Sequence, residues 1–306
     1  MHMKRFVFMA MGLLLVVTLG AQSVTMNEQD VQKRYEEAVN LLNTNIDGAK
    51  TFLEKWEKED ASNPELFSLW FNYYFAMSRQ SAVELNTERS NSPNAYAISD
   101  STGKTVGYLQ ERLFYNDSLL TIAFNWLDKG IAANPDRLDF YFGKATASLR
   151  ADKDSLCVDI LQKAMDRSVQ IGPRWLWTFG ESRGNEPDLL TGCIQDFFIS
   201  LYEKNNMQYA ERLLVAATER FPENIMFMSN AGILALEKGD FERALQLFQT
   251  AEKINGNDYV VLMNIAFTYR NLGNMAEAKN YYRKVIENCS PEGAAEAERL
   301  LKELEN

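Results

Sequence analysis

Apolar residues recur three and four apart along most of the chain, with charged residues between them. That spacing puts the apolar positions on one face of a helix. In the first half, VQKRYEEAVNLL (31–42), AKTFLEKWEKE (49–59) and PELFSLWFNYYFAM (64–77) each predict an amphipathic helix. DSLLTIAFNWLDKGIAA (117–133), DRLDFYFGKATASL (136–149) and DSLCVDILQKAM (154–165) predict three more. Asn63-Pro64-Glu65 and Asn134-Pro135-Asp136 mark boundaries. Each proline stops one helix, and the acid after it favours the first turn of the next.

Two stretches break the helical period. In NAYAISDSTGKTVGYL (94–109) residues alternate on either side of Asp100-Ser101-Thr102-Gly103, which predicts a β-hairpin projecting from the helices. Its Ser-Thr-Gly-Lys-Thr matches the end of a phosphate-binding loop. That loop needs a glycine where Ile98 stands and a helix after the lysine, where Val106-Gly107-Tyr108 follows, so the hairpin is the better reading. The second stretch, IGPRWLWTFGESRGNEPD (171–188), alternates Trp175, Trp177 and Phe179 between glycines and charges. Aromatics so placed suit a sugar ring or a peptide side chain; they equally suit pinning an ordered loop against neighbouring helices.

Further on, the helical pattern acquires a longer period. GDFERALQLF (239–248) returns as GNMAEAKNYY (273–282), with Gly239 answered by Gly273, Ala244 by Ala278 and Phe248 by Tyr282. Three units follow one another without a gap: 191–224, 225–258 and 259–292. Small residues recur at position 8 (Gly232, Ala266) and position 20 (Ala210, Ala244, Ala278), and large ones at position 24 (Leu214, Phe248, Tyr282). Phe198 is a bulky exception at position 8.

This pattern resembles the tetratricopeptide repeat, TPR. The resemblance implies an all-α fold, a right-handed TPR α-solenoid of antiparallel helix pairs, here with a small β-hairpin insertion. Small residues fit where helices cross most closely, and large ones fill the gaps between them. Gly239 and Gly273 end first helices in the left-handed conformation, and Pro222 closes a second helix. Residues 22–170 read as divergent hairpins of the same solenoid, with the β-hairpin near 94–109. Residues 171–190 form an aromatic loop where a hinge would fall. Residues 293–306 carry Ala295, Leu300, Leu301 and Leu304 on one face and read as a C-terminal capping helix.

In the TPR family the first helix of each unit lines a concave groove. Carried over position by position, the groove residues are Gln195, Ile199, Tyr202 and Glu203 in the first unit. In the second they are Met226, Ser229, Asn230, Ile233, Leu236 and Glu237. In the third they are Val260, Met263, Asn264, Phe267, Arg270 and Asn271. Asn230 and Asn264 match an asparagine that in many TPR proteins bonds a ligand's peptide backbone. The basic clamp that some TPR grooves close on a C-terminal carboxylate is missing: Ser229 and Met263 replace its cations, and Ile199, Ile233 and Phe267 its asparagine. An apolar groove between acidic flanks remains, suited to an extended or helical peptide, to the protein's own N-terminal helices or to a second copy.

Composition narrows the chemistry. The one histidine, His2, lies in MHMKR-FVFMAMGLLLVVTL-GA, a basic start, a short apolar run and small residues that read as a signal peptide over 1–21. The chain after it has no imidazole, which removes Ser-His-Asp and Cys-His nucleophiles and histidine-bound metals. Gln22 stands where a lipid-bearing cysteine would be, so the expected product is periplasmic or secreted without a stable membrane anchor. Cys157, Cys193 and Cys289 are widely spaced and form neither a disulfide framework nor a metal-ligand pattern; no cofactor is implied. A net charge of −10 argues against nucleic acid. The two insertions together with the leader resemble exported, uncharacterised TPR proteins of Bacteroidetes-type bacteria, which supplies no activity.

The reading is therefore a non-enzymatic scaffold that binds a protein or peptide segment. The alternative is a glycan-binding protein of the cell envelope using Trp175, Trp177 and Tyr108. A carboxylate-pair glycosidase comes third, because 42 Asp and Glu residues make chance pairs common and none stands in a recognisable motif.

Overall fold

A computed structural model describes residues 27–88, 95–288 and 291–305. The expected leader lies outside these residues. Two compact units make up the chain: Met1–Ile160 with Ile171–Pro187, and Leu161–Gln170 with Asp188–Asn306.

The first unit begins with α1 (Glu28–Thr44), α2 (Ile46–Glu59) and α3 (Pro64–Ser78), then α4 (Asp117–Ala133) and α5 (Leu138–Arg150). Helix α6 (Asp154–Ile171) supplies residues to both units. Asparagine starts four of these helices. Asn27, Asn45, Asn63 and Asn116 each accept a backbone N–H of the first turn, and Pro64 takes the first position of α3, where no N–H partner is needed. Helix α5 starts at Leu138, two residues later than the pattern predicts, and its N-cap Arg137 makes no capping bond. That side chain is taken by an ion pair described below. Trp56, Leu53, Leu69 and Trp70 centre one core cluster, and Phe71, Leu127 and Phe140 another.

The predicted β-hairpin is part of something larger. Strands β1 (Arg79–Asn86), β2 (Tyr96–Ser99) and β3 (Thr105–Tyr115) form an antiparallel sheet in the order β1-β3-β2. The expected turn is there: Asp100 accepts from the N–H of Thr102 and of Lys104, and Gly103 takes φ +85°. β3 runs on to Tyr115 because β1 pairs with it from Arg79↔Tyr115 to Asn86↔Tyr108. Sequence reading misses β1 because its partner is not the next strand in the chain but β3, reached only after β2. Val83, Leu85, Tyr96, Leu109 and Leu113 share one face of the sheet and are exposed.

In the second unit three helix pairs follow one another, the first starting two residues before the predicted repeat at 191. They are α7 (Leu189–Glu203) with α8 (Met207–Arg220), α9 (Ile225–Glu237) with α10 (Phe241–Ile254), and α11 (Tyr259–Asn271) with α12 (Met275–Asn288). Small residues sit at the crossings: Ala210, Ala217, Ala244, Ala251, Ala266 and Ala278 are fully buried. A Cβ on Gly232 would stand 2.5 Å from the Phe248 ring. Gly239 and Gly273 have φ of +74° and +76°, the left-handed conformation expected at helix ends. Phe198, the exception, is accommodated as a buried ring 6.0 Å from that of Tyr202. Helix α13 (Pro291–Glu305) lays Ala297, Leu300, Leu301 and Leu304 on Leu262, Ala266, Tyr282 and Val285; Ala295, expected on that face, is exposed, and Ala297 takes its place two residues on. The helix covers the last apolar face, as a capping helix must.

Candidate functional site: the inner face of the C-terminal repeats

Helices α7, α9 and α11 are the first helices of the three units, so equivalent positions on them come round at each repeat. Asn224 and Asp258 fix the starts of α9 and α11 by accepting first-turn N–H groups, which sets the phase of each helix. At position 9, Ile199 is 40% and Phe267 46% exposed, with Ile233 half-buried. Ile233, Leu236, Glu237, Asn264 and Phe267 line a shallow depression, open to solvent, between α9 and α11. Val260, at position 2 of the third unit, is 44% exposed.

Polar groups at this face bond from one repeat to the next. The Asn230 side-chain amide donates to Gln195, and the Tyr202 hydroxyl donates to Glu237. The hydrogen bond to the Glu237 carboxylate, and then that group's negative charge, hold the Tyr202 hydroxyl above the usual tyrosine range. Arg270 lies 4.0 Å from Glu303 of α13. Not every predicted position opens outward. Ser229 is buried, Met226 is half-buried, and half-buried Met263 packs against the cluster that α13 covers.

Burial, with Asp196 adding to it, pushes the Cys193 thiol up to about 11, far from thiolate chemistry at neutral pH. Cys157 is buried and forms no disulfide, and Cys289 lies outside the described residues. Among the described residues no three His, Cys, Asp or Glu side chains cluster as metal ligands would, and no helix is long and apolar enough to cross a membrane.

The aromatic loop belongs to the first unit. Trp175 and Trp177 are only 3% and 7% exposed, edge-on to Tyr141 and Phe142. Both faces of a sugar-binding platform are thus unavailable, and Tyr108 is half-buried in β3. What holds the loop is a buried ionic group that sequence reading misses. Arg137 donates to both oxygens of Glu65 at 2.8 and 3.1 Å, and to Asp139 at 2.9 and 2.8 Å. Glu65 also accepts the N–H of Phe179 at 2.9 Å, with Phe179 held at φ +61° and its ring edge-on to Tyr35. Burial pushes the Glu65 carboxyl up, against the pull of Arg137. Glu65 and Arg137 are 72 residues apart, and no local pattern announces such a pair.

The tetratricopeptide-repeat family models match residues 196–259 and 235–288. Residues 196–288 are tetratricopeptide repeats. Human cell division cycle protein 16 homolog is 29% identical over 151 residues, 41% of this chain and 24% of that protein, so the chain spans about a quarter of that relative. Among solved structures, the C-terminal part of a TPR repeat-containing protein of Cytophaga hutchinsonii overlays with TM-score 0.41 at 14% identity, covering 85% of this chain and 81% of that one. YrrB, described as a TPR protein with an unusual peptide-binding site, gives 0.39 at 14% identity, over 81% and 97% of the two chains. MamA gives 0.35 at 13% identity, over 56% and 90%. These likenesses assign no function.

Proposed function

We propose that the inner face of the TPR helices α7, α9 and α11 holds a peptide or protein segment, and that the chain is a non-enzymatic interaction scaffold. One observation carries this reading: Ile199, Ile233 and Phe267 occupy the same position in three successive units and are incompletely covered, and Ile233 and Phe267 line an open depression between α9 and α11. Apolar surface aligned in this way is worth covering, at about 25 cal/mol per Å². Gln195, Asn230 and Asn264 add amides that can meet a peptide backbone, and Met226 adds an adaptable side chain.

The test is co-purification from the native envelope, with the bound protein identified by mass spectrometry and its affinity then measured directly. Ile233→Asp plus Phe267→Asp is expected to abolish that affinity. If the double variant folds and still binds, the groove is not the site.

We also propose export, on the leader-like residues 1–21. N-terminal sequencing of protein from fractionated cells should find the chain starting near Gln22 outside the cytoplasm. A cytoplasmic chain that keeps its first residues would refute this.

A further inference from the structure

Resting on that groove reading, we infer that the segment it takes is cationic as well as apolar. The charges of the inner helices are one-sided. Helices α7 and α9 contain Asp196, Glu203 and Glu237 and neither lysine nor arginine, and α11 contains Arg270 alone. Arg270 is drawn toward Glu303 at 4.0 Å. Lys204 and Lys238 come one residue after α7 and α9, and Lys238 turns away to Glu211 of α8 at 2.5 Å. Asp196 and Glu203 are exposed, and Glu237 borders the same depression as Ile233 and Phe267.

An apolar row with acids beside it and little cationic charge discriminates by sign. A lysine or arginine flanking the apolar side chains of a bound segment meets opposite charge, whereas an acid there meets repulsion. The net charge of −10 extends that preference beyond the groove and speeds encounter with a cationic segment, more so at low salt. The occupant is thus a segment with apolar anchors and interspersed lysine or arginine, not an acidic tail.

The test is selection from a random library of peptides of about a dozen residues, displayed on phage, against the whole chain and three variants. Peptides enriched on the parent should combine apolar residues with net positive charge. Glu203→Lys plus Glu237→Lys should shift enrichment toward aspartate and glutamate, and should weaken parent-selected peptides about tenfold. Glu203→Gln plus Glu237→Gln, the milder change, should remove the basic bias while keeping the apolar one. Pools of the same charge composition on the parent and on folded charge variants would overturn the inference and leave the groove reading standing. A parent pool recovered unchanged on Ile233→Asp plus Phe267→Asp would overturn the groove reading itself. No enrichment on the parent would overturn both.

Discussion

A hydrogen on Cα is all that fits at position 232, because the Phe248 ring lies against the backbone of α9 there and is fully buried. Gly232→Ala adds helix propensity worth about 1 kcal/mol, but the ring has no exposed side to move toward. Overpacking of this kind typically costs about 1–3 kcal/mol, so a net loss of stability, read from the urea midpoint, is expected. Tyr35 offers a second residue-scale test. Burial first, and then the anions Glu65 and Asp139, push its hydroxyl up to about 12 from an ordinary value of 10.0. The folded state therefore keeps this proton more tightly than the unfolded chain does. Its contribution is complete below pH 10 and is lost as pH rises toward 12. The melting temperature should fall over that range, and Tyr35→Phe should flatten the fall by the share due to this group. An equal slope in parent and variant would assign the fall to other tyrosines. The glycine is legible in the sequence as a small position in a repeat. The tyrosine is not, since nothing local tells α1 that Glu65 and Asp139 will face it.

Helices were the most legible elements, because three- and four-residue spacing states both their existence and their buried face. Asn63-Pro64 and Asn116-Asp117 even fix starts to the residue, as Asn caps with a local mechanism. The sheet was half legible: the Asp100–Gly103 turn is a local device, whereas β1 pairs with a strand reached only after the β2 excursion. Residues 171–188 were legible as a loop but not in what fastens them. Glu65→Ala tests that fastening. It leaves Arg137 buried with Asp139 and frees the Phe179 N–H; removing one member of such a buried pair costs about 3–5 kcal/mol. The same change should raise exposure of Trp175 and Trp177, seen as a red shift in fluorescence at a denaturant concentration the parent withstands. Unchanged stability and unchanged emission would mean that aromatic packing alone pins the loop.

At the scale of the whole molecule, charge is the property the sequence states outright. With Lys and Arg at 32 against Asp and Glu at 42, the isoelectric point is ≈ 4.9. Self-repulsion keeps such a chain dispersed at neutral pH and fades on acidification. Light scattering should rise to a maximum near pH 4.9 and fall again on either side; a maximum elsewhere would show that surface patches, not net charge, govern association. The division into two compact units was less legible. The helical pattern predicts a helix over 154–165, yet α6 runs on to Ile171 and serves both units.

Taken alone, the amino-acid order determined which stretches are helical and which face each buries, the 34-residue period, the crossings that demand glycine or alanine, and the acid-rich charge. All of these depend on neighbours within about one repeat, so spacing records them. Tertiary structure decided the rest: the β1–β3 pairing, the burial of Trp175 and Trp177, the Glu65–Arg137–Asp139 group, and which inner-face side chains open outward. Those outcomes depend on residues distant in sequence meeting in space, and a chain's local pattern carries no term for that meeting.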